Sequence, residues 1–293
     1  MARHGSDQAG GITAEAEVDT LKVPGASLYY EVRGSGPVLL MIPGGPTDAG
    51  IFTALAGLLA DKYTVVTYDP RGNSRSVIDN PPQNVPVEVH ADDAQRLITA
   101  VGTEPAYVLG SSGGAVIGLD LVVRHPERVN TFVAHEPPVM ELLPDRARWR
   151  ELFHEVNETY RTDGAFAAMQ KFGDAVEEGG PQSNDAQPQD EPTPEQAETM
   201  GRIMGNFEFF LAHVMRPISS YVPDVDALKA SSTRVAVGGG EESGQQGAYR
   251  AAVALAEQLG EEVVYFPGAH GGFTTHSKVF AERLHSVLRG GQA

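Results

Sequence analysis

Apolar residues along this chain follow two rhythms. Short unbroken runs at residues 38–42 and 64–68 read as strands buried on both faces of a parallel sheet, while 27–33 alternates enough for an edge strand. Residues 106–109, 129–134, 234–237 and 263–266 predict further strands. Between these runs, residues 49–60, 87–101, 115–124, 246–259 and 277–288 place apolar side chains every three or four positions, the spacing of amphipathic helices. Such strand–helix repetition builds a mostly parallel central sheet with helices on both faces, so the fold class is α/β.

The alternation stops between 137 and 232, where helical patterns dominate. This stretch reads as a helical insertion between two parts of one core, 20–136 and 233–293. Within it, 177–195 is rich in Pro, Gly, Gln, Asp and Glu and almost free of apolar residues, the composition of a mobile loop. Residues 1–19 are polar and lack an apolar h-region, so they read as a flexible segment with no secretory signal.

Composition narrows the function classes. A chain of 293 residues that is 41% hydrophobic can bury a large core. A formal charge of -17 argues against binding nucleic acid or an anionic membrane surface, both of which need a basic patch. A small-molecule substrate fits better, and with no apolar run of spanning length the expected location is cytoplasmic. The absence of cysteine excludes disulfides, zinc–thiolate sites and a cysteine nucleophile.

The segment with the most chemical content is Gly110-Ser111-Ser112-Gly113-Gly114, a G-x-S-x-G pattern between a predicted strand and a predicted helix. In that context the serine stands at the tip of a sharp strand-to-helix turn, and flanking glycines let the backbone bend tightly. The register selects Ser112, because a motif centred on Ser111 would need glycine where Leu109 stands. The same five residues would also suit an ordinary Gly-Ser loop.

Three further stretches accompany this turn: Pro43-Gly44-Gly45-Pro46 after one apolar strand, Asp69-Pro70-Arg71-Gly72-Asn73-Ser74 after the next, and Gly268-Ala269-His270 after the last. Together and in this order they resemble the α/β-hydrolase superfamily, in its esterase and proline-iminopeptidase-like branch, over residues 20–288. The resemblance implies a cap at 137–232, inserted after the sixth core strand, and a catalytic triad in the order Ser, acid, His. It assigns the nucleophile to Ser112 and the base to His270, with His276 as the nearest rival. For the acid it points to the loop after 234–237, where Glu242 is preferred, Glu241 is nearly equivalent, and Glu136 is a third contender beside the Pro137-Pro138 hinge. His135 reads as a packed strand-end residue, and His90, His125, His154 and His285 as surface residues.

By the same pattern the oxyanion donors are the amides of Gly45 and Gly113, while Pro43 replaces a histidine common in relatives. Asp69 to Gly72 is expected to be a structural turn. Phe207, Phe210, His213 and Met215, with Met204, Phe209 and Tyr221 nearby, are candidates for roofing an apolar substrate pocket, although such residues also form helix cores. No metal or organic cofactor is implied. The implied activity is cleavage of a carboxylic ester or lactone through an acyl-enzyme. Ser112 argues against epoxide hydrolases and haloalkane dehalogenases, which use aspartate there, and Gly113 departs from the aromatic residue usual in proline iminopeptidases. An iminopeptidase-like amide hydrolase and a non-hydrolytic ligand-binding protein remain as alternatives.

Overall fold

The computed structural model describes residues 15–80, 83–180 and 193–291. Its described residues form one nine-stranded sheet in which β1 (Glu17–Val23), β2 (Ala26–Arg33) and β4 (Thr64–Tyr68) pair antiparallel, with β5 (Val77–Ile78) as a short antiparallel addition to β2. From β4 onward the order continues β3 (Val38–Ile42), β6 (Ala106–Ser111), β7 (Val129–His135), β8 (Arg234–Gly240) and β9 (Val264–Phe266), all parallel. The chain goes from β3 to β4 on one side and returns to β6 on the other. That reversal leaves a crevice beyond the carboxyl ends of β3 and β6, where open α/β sheets bind ligands.

Period-two alternation sorts the strand side chains between two cores. Leu40, Ile42, Val66, Val108 and Phe132 join the cluster under α2 (Val87–Val101), α3 (Gly113–Arg124) and α10 (Gly247–Leu259). Their neighbours Leu39, Met41, Val65, Leu109 and Val133 face α1 (Thr53–Leu59) and α12 (Ser277–Leu288) on the other side. Helix α3 comes very close to the sheet, since a Cβ on Gly118 would fall 2.2 Å from the Phe132 ring.

Between β7 and β8 the described residues form helices α4 (Arg146–Asp163), α5 (Ala165–Glu177), α6 (Pro194–Gly205), α7 (Phe207–Phe209), α8 (Met215–Ser219) and α9 (Val225–Ala230). A five-residue π-helix, Phe210–Val214, joins α7 to α8. Trp149, Val156, Ala168, Phe210 and Met215 from this segment belong to the same apolar cluster as α3, so the helices pack directly onto the core. The last short helix, α11 (Gly272–Thr275), precedes α12.

Two expectations need correction. Residues 27–33 are not an edge strand, because β1 lies outside β2 and begins at Glu17, within the segment expected to be flexible. Nearly all of β1 is exposed, so it carries no apolar alternation to read. Of the loop expected at 177–195, residues 181–192 lie outside the described residues, whereas Thr193 caps α6 through a reciprocal bond pair with Gln196. No helix among the described residues is long and apolar enough to cross a membrane.

Candidate active site

The turn after β6 is a sharp elbow. Ser112 stands between strand and helix at φ 55° and ψ -125°, a conformation few non-glycine residues adopt. The neighbouring glycines are required by contact: a Cβ on Gly110 would lie 2.4 Å from the Gly114 carbonyl oxygen, and one on Gly114 would lie 2.1 Å from that of Ile42. Ser112 is fixed from behind by its amide, which donates to the His135 carbonyl at 2.9 Å. The loop after β3 abuts this elbow. A Cβ on Gly113 would sit 3.4 Å from the Gly45 nitrogen, so the amides of the two candidate oxyanion donors border the same space. Gly45 itself has φ 58°.

His270 follows β9 and presents its Nδ1 to the Glu136 Oε2 at 2.6 Å. The carboxylate at this histidine is therefore that of Glu136. Glu242 and Glu241, preferred on sequence grounds, are exposed. Their amides donate to the carbonyls of Gly268 and Phe266, which prolongs the β8–β9 pairing and turns both side chains to solvent. The glycine run before them serves Glu136 instead. Its amide donates to Gly238 O at 3.0 Å, and its Oε1 accepts from Gly240 N at 2.8 Å and from the Ser243 hydroxyl.

Glu136 is fully buried, at φ 47°. Burial pushes its carboxyl upward, but hydrogen bonding and charge from His270, together with His135 and the Ser243 bond, outweigh it and hold the group at about 2. Behind the pair lies His135, expected to pack at the strand end and found there in a cage of Phe266, Phe280 and Phe273 at ring distances of 5.6, 5.4 and 6.4 Å. Neither ring nitrogen has a hydrogen-bond partner among the described residues, and burial pushes its pKa down to about 4. His276, the rival base, is exposed and meets Thr275 Oγ1 at 2.9 Å.

Ser112 and His270 open on one cavity of about 310 Å³. Its walls include Gly45 and Gly113, with Trp149, Phe153 and Phe172 from α4 and α5 and Ile117 from α3. Of the residues expected to roof it, Phe210 and Met215 line it, whereas Phe207 and His213 do not. The His213 ring instead packs on Phe209 at 5.2 Å, and its carbonyl accepts the Val85 amide at 2.9 Å. His90, expected on the surface, is 2% exposed and borders the cavity; burial, then the nearby Arg71 charge, pushes its pKa down to about 3. The aromatic walls from α4 and α5 were missed by sequence reading. Their signal is the pair Trp149 and Phe153, four residues apart on one helical face.

Among the described residues no Asp, Glu, Lys or Arg side chain borders this cavity. Among the described residues no group of three His, Asp or Glu is placed to hold a metal ion. Asp69 is the structural turn expected of it: its buried carboxylate accepts the Ala49 amide at 3.0 Å and ties down Arg75 through Nε and Nη2.

This arrangement has counterparts in known proteins. The model of the alpha/beta hydrolase fold matches residues 37–202. The hydrolase YraK of Bacillus subtilis is 41% identical over 277 residues, covering 92% of this chain and 95% of YraK. Among solved structures, an esterase from Thermogutta terrifontis superposes with a TM-score of 0.71 at 21% identity, covering 94% of this chain and 99% of the esterase. Est816, described as degrading N-acyl homoserine lactones, gives 0.69 at 22%, covering 93% and 99%. By the family match and the relationship to YraK, this chain belongs to the alpha/beta hydrolase family.

Proposed function

We propose that this protein is a serine hydrolase that cleaves a small, uncharged carboxylic ester or lactone through an acyl-enzyme, with Ser112, His270 and Glu136 as its triad. A serine hydroxyl needs an adjacent base to become a nucleophile. His270 takes its proton on attack and returns it to the leaving alkoxide, while Glu136 holds the imidazole tautomer and stabilises the imidazolium. The amides of Gly45 and Gly113 receive the oxyanion of the tetrahedral intermediate. Residues 137–232 act as a cap whose side chains shape the acyl and alcohol sites.

The observation carrying this reading is the Glu136–His270 pair at 2.6 Å, whose histidine shares with Ser112 a cavity in which, among the described residues, the ionisable lining groups are His90 and His270. The same lining favours an ester over an aminopeptidase substrate, since among the described residues no carboxylate lines the cavity to receive a free ammonium. The descriptions of two structural neighbours, one an esterase and the other an enzyme that degrades N-acyl homoserine lactones, agree with this choice.

The test is intact-protein mass after treatment with a fluorophosphonate, on wild type, Ser112→Ala and His270→Ala, alongside turnover of short-chain aryl esters, lactones and a prolyl amide. One adduct on wild type, lost in both variants, with ester or lactone turnover exceeding amide turnover, is the expected result. No adduct and no turnover in a folded sample would favour a ligand-binding role.

A further inference from the structure

The loop carrying Gly45 is held by the insertion helices. Asn206, just after α6, is 4% exposed and donates through Nδ2 to the Pro46 carbonyl at 2.8 Å and to the Ser74 hydroxyl at 2.9 Å, while its Oδ1 accepts the Ser74 amide at 2.7 Å. Arg202, one turn earlier, donates from Nε to Asp48 Oδ2 at 2.6 Å. That carboxylate is wholly buried; it also accepts the Ser74 hydroxyl at 2.8 Å, and its other oxygen accepts Gly50 N at 2.8 Å. The helix sits hard on the loop, because a Cβ on Gly50 would lie 2.7 Å from Thr199 Oγ1.

Inside the loop the restraint reaches the amide that matters. In a planar trans peptide the carbonyl of Gly44 and the N–H of Gly45 point in opposite directions, so fixing one aims the other. The Thr47 hydroxyl holds the Gly44 carbonyl at 2.6 Å, and Thr47 is held in turn by Asn73 Nδ2 on its own carbonyl at 2.9 Å. Pro46, gripped by Asn206, is the residue between the aimed amide and Thr47.

We infer that Asn206 and Arg202 are positioning residues for the Gly45 amide, so that docking of α6 and its following turn onto the core and preorganisation of the oxyanion site are one event. This rests on the serine-hydrolase reading for its catalytic consequence, though not for the latch itself. An oxyanion donor contributes only when already aimed at the charge that develops, and a loop free to rotate its peptide spends part of that advantage on ordering.

The experiment combines steady-state hydrolysis of a short-chain ester with amide hydrogen exchange, on the full chain carrying Asn206→Ala, Arg202→Ala, Arg202→Lys or Glu198→Ala. Glu198 meets Arg202 only at an exposed bond of 2.9 Å, with its side chain 75% exposed, and is the control. Expected are a kcat about 10- to 100-fold lower in Asn206→Ala and Arg202→Ala with KM within about 2-fold, part of the loss that follows deletion of a donor. Exchange in residues 47–51 should rise about 10-fold while that of 108–116 stays unchanged. Arg202→Lys should recover part of both effects, and Glu198→Ala should match wild type.

Unchanged exchange at 47–51 would overturn the latch, and so would a rise shared equally by 108–116, which would mean that these residues only hold the fold. Faster loop exchange with kcat intact would overturn the positioning role. A wild type that hydrolyses no ester and takes no fluorophosphonate would defeat the serine-hydrolase reading instead, leaving the exchange comparison to judge the latch.

Discussion

Strands β7 and β8 lie side by side and both run into glutamate, yet the two ends differ in every physical respect. At β7 the Glu136 amide makes one last bond to Gly238 of β8, and the residue then takes φ 47°, sinks to zero exposure and meets His270. At β8 the backbone keeps pairing past the strand, with the amides of Glu241 and Glu242 bonded to the β9 side, and both carboxylates stay in water. The difference teaches that a buried carboxylate is made by its surroundings. Glu136 is held in its charged form inside the protein because His270 meets one carboxylate oxygen with a hydrogen bond and charge, while the Gly240 amide and the Ser243 hydroxyl donate to the other.

The sharpest way to break this comparison is to neutralise one end at a time. Glu136→Gln should lower kcat/KM on a short-chain ester by roughly 10⁴-fold, as expected when the triad amide favours the wrong imidazole tautomer. Glu242→Gln and Glu241→Gln should stay within about 2-fold; a large loss in Glu242→Gln with Glu136→Gln active would reverse the assignment.

The next largest effect concerns proton uptake. His135 and His90 are held neutral in the folded protein, with pKa values near 4 and 3, whereas unfolded histidine titrates near 6.5. As pH falls below about 6.5 the unfolded state binds protons first, so stability present at neutral pH is lost, by about 1.4 kcal/mol per pH unit for each histidine until its folded pKa is reached. Urea unfolding between pH 4.5 and 6 should show His135→Leu with a shallower pH slope than wild type by one proton. Parallel slopes would show that His135 is already charged in the fold.

Smaller effects come from the cradle around Glu136. Gly240→Ala would place a Cβ 2.5 Å from Ser243 Oγ and 2.6 Å from the Gly268 carbonyl, so it should cost about 1–3 kcal/mol of stability, measured by chemical denaturation, and reduce turnover. Ser243→Ala removes one hydroxyl bond from the carboxylate and should lower kcat/KM only about 5-fold, near 1 kcal/mol. An unchanged rate in both would mean that the β8 side contributes nothing to the acid.

These contrasts explain what sequence reading could reach. Strands at 38–42 and 64–68 and helices at 87–101 and 277–288 coincide with β3, β4, α2 and α12, because buried faces impose an apolar period. The elbow was legible because its glycines answer steric needs within a few residues of Ser112. The carboxylate that meets His270 was not, since it depends on which strand end turns its side chain inward, and that is decided by pairing across β7, β8 and β9 rather than by local residue types. The cavity walls were half legible: Phe210 and Met215 were found, but apolar residues on α4 and α5 carry no local mark of whether they face the core or an empty space.

The uncharged lining of the cavity also separates what enters from what leaves. An ester is neutral and loses little by desolvation there, whereas hydrolysis turns its acyl half into a carboxylate, stranded among apolar walls where no Lys or Arg of the described residues meets it. The Glu136 carboxylate behind the histidine adds repulsion, and the protein as a whole carries -17. For the proposed reaction, the site therefore expels its own acid product by charge, so product inhibition should be weak and grow weaker as pH rises above the pKa of the released acid.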